Sequence, residues 1–123
     1  MTKFVRTLAA FAAFAAAGST VATAAPDTQY IVKYRGLNTI FVFSVNGHSL
    51  GQFNTDGANT DITRYVHRGT NMVKIAWRPA CRCTSTATLT VGQHRGGHWN
   101  TVVSQTKPLG FDSGSQRYTF TAP

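Results

Sequence analysis

The sequence contains little cysteine, few acidic residues and no long hydrophobic run. Of its 123 residues, two are cysteine, four are aspartate and none is glutamate. So few carboxylates leave little scope for the paired acids that glycosidases use. The longest apolar run, residues 8–17, is well short of the ~20 residues that a transmembrane helix needs. The composition therefore argues against a glycosidase and against a membrane-spanning protein.

Motifs of catalysis are missing as well. The sequence has no G-x-S-x-G nucleophile elbow, no H-E-x-x-H zinc motif and no phosphate-binding loop. The four histidines do not fall into a recognisable catalytic pattern with serine or aspartate. We therefore predict that the protein is not an enzyme and needs no cofactor.

Residues 1–24 have the features of a secretory signal peptide. Lys3 and Arg6 precede the apolar run, and the small residues Ala22 and Ala24 stand before a cleavage site ahead of Ala25. The remaining segment, residues 25–123, carries ten lysines and arginines and four aspartates, a net charge of +6. Its length suits one domain. We expect a secreted or periplasmic, basic, single-domain protein.

The mature segment alternates short β-rich runs with turn residues, which is typical of an all-β domain. Asn46-Gly47 is the strongest hairpin signal, and residues 62–66 allow at most one helical turn. The strands are predicted at residues 29–35, 39–45, 48–53, 71–78, 84–93, 99–107 and 116–122. We predict an antiparallel β-sandwich, jelly-roll-like, with about seven to eight strands.

Four further expectations concern individual segments. Residues 39–45 are apolar on both faces, which predicts a strand covered on both sides. Trp77 keeps the phase of the inward residues of its strand, so it is expected in the core. Residues 94–98 contain Gly96-Gly97 and are predicted to form a turn or loop. Residues 54–70 are predicted to cross from one sheet to the other.

Residues 41–78 resemble part of a known family. The series FVFSVNGHSLG, DITRYVHRGTN and MVKIAWR is similar to the galactose-binding-domain-like jelly-roll modules that accompany many glycoside hydrolases. The matching residues are Val45, Asn46, Gly47, Gly51, Asp61, Ile62, Thr63, Gly69 and Asn71. They belong to turns and to the connection, where they act as scaffold. The resemblance thus implies a jelly-roll carbohydrate-binding module and assigns no ligand residue.

The two cysteines, Cys81 and Cys83, leave three interpretations open. In an oxidising compartment they can form a local disulfide if the chain bends. Together with His94 and His98 they offer two thiolates and two imidazoles, a ligand set for Zn²⁺ or Cu(I). Redox chemistry or pairing with another molecule is the third interpretation.

Basic and aromatic residues supply the candidate ligand-binding site. A positive surface attracts anionic polymers, and an exposed tryptophan can stack on a sugar ring. The residues chosen for this role are Arg78, Arg82, Arg95, His98 and Trp99.

Three hypotheses follow from the sequence. The first is an exported, non-catalytic domain that binds cell-envelope or extracellular carbohydrate, preferably anionic. The second is a periplasmic metal-binding or redox protein built on the Cys-Arg-Cys segment with His94 and His98. The third is a structural or interaction subunit of an envelope assembly, with a protein partner joined by strand addition. Nucleic acid is not an expected partner.

Overall fold

The computed structural model describes residues 27–123, so the predicted signal peptide and the boundary at Ala25 lie outside the described residues. The described part contains eight strands and one short 3-10 helix, Thr63–Tyr65. The strands are β1 (Thr28–Leu37), β2 (Thr39–Val45), β3 (His48–Phe53), β4 (Asn59–Asp61), β5 (Gly69–Pro79), β6 (Thr86–Arg95), β7 (His98–Thr106) and β8 (Gly114–Ala122).

The strands form two antiparallel four-stranded sheets. The first sheet has the order β4-β1-β6-β7 and the second has the order β3-β2-β5-β8. The prediction of an all-β antiparallel sandwich with seven to eight strands is confirmed. The strand that the sequence did not reveal is β4, whose three residues are polar and exposed. The crossover predicted for residues 54–70 is wrong, because the β2–β3 hairpin and β5 belong to the same sheet. The link leaves this sheet only to add β4 to the first sheet and then returns as β5.

The core lies between the two sheets and is built by the alternation of each strand. Aromatic side chains join the sheets, because Tyr34 contacts Phe41 with ring centroids 5.8 Å apart and Tyr30 contacts Phe120 at 5.4 Å. Burying one such side chain stabilises the fold by roughly 1.5–3 kcal/mol. Trp77 is partly buried and packs against this core.

The structure corrects one expectation about a single segment and narrows another. The inner side chains of β2 are fully buried, whereas Val42 on its outer face is 38% exposed. No third layer covers this face in residues 27–123, so the strand is not covered on both sides. The turn or loop predicted at residues 94–98 is a turn of Gly96 and Gly97 alone, because β6 runs to Arg95 and β7 begins at His98. Gly96 and Gly97, both with positive φ, suffice for a two-residue turn.

A hydrogen-bonded network of asparagines fixes the start of β5 against the β2–β3 turn. Asn71 is fully buried, and its Oδ1 accepts from Asn46 Nδ2 (2.8 Å) and from the His67 amide (2.9 Å). Asn46, at φ 49°, also donates to the Tyr65 carbonyl and accepts from the Met72 amide. Asn46 and Asn71, which both belong to the residues that match the galactose-binding-like modules, therefore stabilise the scaffold.

Candidate functional site

The five residues proposed for ligand binding are divided between the two ends of the sandwich. Arg78 is near the end of β5, and Arg82 follows in the link to β6. Arg95, His98 and Trp99 belong to the β6–β7 hairpin. The intervening strand β6 has ten residues, and at about 3.3 Å per residue it separates the two groups by about 30 Å. The structure therefore does not bring the five residues into one surface.

The same separation affects the cysteines and histidines. Cys81 and Cys83 lie side by side in the β5–β6 link as a disulfide-like pair, with Cα atoms 5.3 Å apart, within the range that a disulfide spans. His94 and His98 are at the opposite end of β6. Residues 27–123 contain no group of three or more histidine, cysteine or acidic side chains placed to hold a metal ion.

The Arg82 end of the sandwich carries exposed apolar side chains. Leu109 is 93% exposed and Phe111 is 50% exposed, and the Arg82 guanidinium lies 5.1 Å from the centre of the Phe111 ring. The loop keeps its shape through Lys107, a buried lysine whose ammonium donates to the carbonyls of Pro108 (2.8 Å) and Gly110 (2.6 Å). A depression of about 480 Å³ opens beside it.

The other end positions Trp99 on the outer face of the first sheet. In the β6–β7 hairpin Trp99 pairs with His94, so both side chains point to the same face. Gly92, two residues before His94 on the same face, has no side chain, and a Cβ there would come within 3.3 Å of the Trp99 ring. The absence of a side chain at Gly92 leaves the space into which the tryptophan packs.

Lys33 completes this cluster from the neighbouring strand β1. Its ammonium nitrogen lies 4.4 Å from the centre of the Trp99 ring, and the His94 and Trp99 ring centroids are 4.7 Å apart. Trp99 nevertheless remains 50% exposed. We call Lys33, Gly92, His94 and Trp99 the Trp99 platform. It combines an aromatic surface with a cation on an open sheet face.

Hydroxyl groups continue the face beside the Trp99 platform. Thr90 is paired with Lys33 across β6 and β1, and Ser104 is paired with Thr90 across β6 and β7. One step along, the hydroxyls of Thr88 and Thr106 are hydrogen-bonded at 2.9 Å. These hydroxyls can donate and accept hydrogen bonds on the same face as the tryptophan.

Sequence reasoning selected Trp99 but missed Lys33 and Gly92. Lys33 is in the first strand and Trp99 is in the seventh, so their proximity follows from the sheet order and not from spacing along the chain. The alternation of residues 29–35 could have placed Lys33 on an outer face of the sheet. It could not have shown which residues lie next to Lys33 there. Gly92 carries no signal of its own beyond an interruption of the strand pattern.

The structure has a feature that bears on the third hypothesis, an interaction subunit joined by strand addition. The edge strands β7 and β8, nine residues each, contain no proline, so their free backbone groups suit strand addition. The interaction-subunit hypothesis stays a prediction.

Residues 27–123 include no helix with the length and hydrophobicity of a membrane span.

Comparison of the chain with protein-family models, with curated proteins and with solved structures found no match. The resemblance of residues 41–78 to galactose-binding-like modules therefore stays a prediction, and function has to be argued from the site itself.

Proposed function

We propose that this protein is an exported, non-catalytic binding domain that takes an anionic carbohydrate of the cell envelope or extracellular space on the Trp99 platform. The observation that carries the proposal is the half-exposed Trp99 with the Lys33 ammonium 4.4 Å from its ring centre. An aromatic surface and a cation in one place suit a sugar that carries a carboxylate.

Each part of the platform has a chemical role toward such a sugar. The apolar C–H face of a pyranose packs on the exposed part of the indole, which removes apolar surface from water. The Lys33 ammonium, on a flexible stem, then exchanges its contact with the ring for a charge-assisted hydrogen bond to the carboxylate. The hydroxyls of Thr90 and Ser104 bond the remaining sugar hydroxyls.

The surroundings of the platform favour an anionic ligand over a neutral one. Arg35, two residues after Lys33 on the same face of β1, is exposed and extends the basic surface. Arg95 and His98 form the next pair after His94 and Trp99, so they point to the opposite face. The described part carries ten lysines and arginines against four aspartates, so the long-range field attracts polyanions. Arg78 and Arg82, at the far end, do not contribute to this site.

The proposal is tested by calorimetric titration of the purified domain with a size-defined uronic acid oligomer. We expect Trp99→Ala to weaken binding about tenfold or more, equivalent to about 1.4 kcal/mol. Phe111→Ala is the matched control, because Phe111 is also 50% exposed and lies at the other end. Equal affinity of the wild-type domain and the Trp99 variant would overturn the proposal.

A charge-neutralising variant tests the ligand class separately. Lys33→Gln is expected to reduce affinity for the uronic acid oligomer while leaving affinity for the neutral oligomer of the same length nearly unchanged, because only the carboxylate needs the ammonium. Arg68→Gln, outside both sheets, removes the same charge and serves as control. If both variants behave alike, Lys33 does not recognise the ligand.

A further inference from the structure

The outer face of the second sheet carries an unusual arrangement of cations. Lys74 and Arg117 are directly opposite each other on the neighbouring strands β5 and β8, and both are exposed. Arg78 follows on the same face of β5, four residues beyond Lys74. None of the four aspartates lies in β2, β3, β5 or β8. The face is therefore basic, with no acidic residue in its strands.

Like charges placed directly opposite in a sheet destabilise the pairing of the strands. The sequence offers threonines and serines for the outer positions of β8, yet an arginine occupies the one position that faces Lys74. An anion bound between Lys74 and Arg117 would turn this repulsion into two favourable contacts.

Two of the cations, Lys74 and Arg78, line a shallow groove along β2 and β5, and Arg117 lies opposite Lys74 on the neighbouring strand β8. One depression of about 340 Å³ includes Lys74, Ser44 and Ser49, and a second of about 200 Å³ includes Arg78 and Ile40. The two adjoin, because Val42 and Ala76 line both. We call the two depressions together the β2–β5 groove. Lys74 and Arg78 stand about 13 Å apart along it, four residues at about 3.3 Å each.

An apolar floor, hydroxyls at one end and cations spaced along the length suit a linear ligand with repeated negative charges. Val42 and Ala76 can contact the C–H faces of sugar rings, and Ser44 and Ser49 can bond their hydroxyls. The separation of the cations favours a chain that carries charges at intervals over a small compact anion.

We propose that the β2–β5 groove is a second binding site for a linear anionic polysaccharide, so that one protein molecule bridges two polysaccharide chains. The choice of ligand class rests on the proposed function of the Trp99 platform. The two sites are on the outer faces of opposite sheets, with the core between them, so two polysaccharide chains can be bound at the same time. The domain is thus a cross-linker of an anionic matrix and not only a binder of it.

The stoichiometry of a short ligand tests the second site. Titration with a size-defined uronic acid oligomer is expected to give two ligands per wild-type molecule, one for Lys74→Gln/Arg117→Gln and one for Trp99→Ala. Combining the three substitutions is expected to abolish binding. Arg64→Gln/Arg68→Gln removes two positive charges elsewhere and should keep both sites. Because all of these side chains are exposed or partly exposed at the surface, thermal unfolding is expected to confirm that each variant is folded.

The bridging itself is measured by light scattering with a long polyuronate. The wild-type domain should raise the scattering strongly, whereas either single-face variant should bind the polymer without cross-linking it. Size-exclusion chromatography without polymer excludes self-association as the cause. Scattering equal to wild type in Lys74→Gln/Arg117→Gln would overturn the inference.

The outcomes separate the two proposals. One ligand per wild-type molecule, lost in Trp99→Ala and kept in Lys74→Gln/Arg117→Gln, overturns the second site and leaves the proposed function standing. One ligand lost only in Lys74→Gln/Arg117→Gln overturns the Trp99 platform, and with it the bridging. Tighter binding of inorganic polyphosphate than of polyuronate by the groove would overturn the assignment to a polysaccharide.

Discussion

Asn71 shows how single polar residues hold this fold together. Its side chain uses all of its hydrogen-bonding positions: Oδ1 accepts from Asn46 and the His67 amide, and Nδ2 donates to the carbonyls of His67 (2.8 Å) and Gly69 (3.0 Å). A fully satisfied amide in the core costs little, whereas one lost partner leaves buried groups without hydrogen bonds.

The first prediction follows for Asn71→Ala. The substitution leaves the His67 amide and two carbonyls without their partners, so we expect the free energy of unfolding to fall by roughly 3 kcal/mol. Chemical denaturation measures the change. Asn59→Ala, at an exposed position in β4, is the control and should cost far less. Similar losses for the two variants would contradict the structural role of the network.

Asp61 gives a second prediction at the residue scale. Burial alone would raise its pKa, but hydrogen bonds from Thr63 and from the Gln29 amide lower the pKa below its ordinary value. A carboxylate whose pKa is lower in the folded state stabilises the fold fully above its unfolded pKa, near 4. That contribution is lost as the pH falls through the lower, folded pKa.

We therefore expect the free energy of unfolding of the wild-type domain to decline in acid, below about pH 4. Asp61→Asn should show a flatter decline, because the group that takes up the proton is gone. Urea denaturation over a series of acidic buffers measures both curves. If Asp61→Asn declines as steeply in acid as the wild-type domain, the effect belongs to another group.

At the scale of elements, the corner between β1 and β2 connects the two sheets. Only Asn38, at φ 57°, stands between them. The Tyr34 hydroxyl donates to the Thr39 carbonyl (2.7 Å), and the Asn38 amide donates to the Thr84 carbonyl (2.7 Å). The chain can turn so sharply because the backbone of Gly36 packs directly on Ala87.

The third prediction concerns this close approach. A Cβ on Gly36 would overlap the Ala87 Cα and the Thr86 carbonyl oxygen, and φ is +139°. We expect Gly36→Ala to lower the free energy of unfolding by roughly 3 kcal/mol or more. Gly57→Ala is the matched control, because Gly57 has φ +83° but open space around it. It should cost only the backbone strain, about 1–2 kcal/mol; equal losses would mean that the overlap is relieved.

For the molecule as a whole, the excess of cations is spread over two opposite faces. Lys33 and Arg35 lie on the outer face of the first sheet, and Lys74, Arg78 and Arg117 lie on the outer face of the second. A polyanion is therefore attracted from either side. Exposed charges act through solvent, so this attraction depends on salt.

The fourth prediction is a steep salt dependence of polymer binding. Raising the ionic strength from about 0.01 M to about 0.15 M shortens the Debye length from about 30 Å to about 8 Å. We expect the affinity for a long polyuronate to fall about tenfold or more, with little change for a neutral polysaccharide. Binding isotherms at several salt concentrations provide the measurement. Affinity that does not respond to salt would contradict a role for the exposed cations.

Much of the fold could be predicted because its signals are local. Alternation in residues 84–93 and 116–122 identified the buried faces, and Asn46-Gly47 identified the β2–β3 turn. The extent of residues 94–98 was misjudged, because two glycines are enough for the hairpin turn and the flanking histidines join the strands. β4 escaped detection since it is short and entirely polar, and only its pairing with β1 makes it a strand.

The sequence by itself determined the all-β class, the inward face of most strands and the basic excess, because side-chain alternation, turn chemistry and charge depend on neighbouring residues alone. Only the tertiary structure decided which outer faces meet. It placed Lys33 beside Trp99, set Arg117 opposite Lys74, and separated Arg82 from Arg95. Those relations depend on sheet order and register, which are fixed when distant strands pair and bury their common face between the sheets.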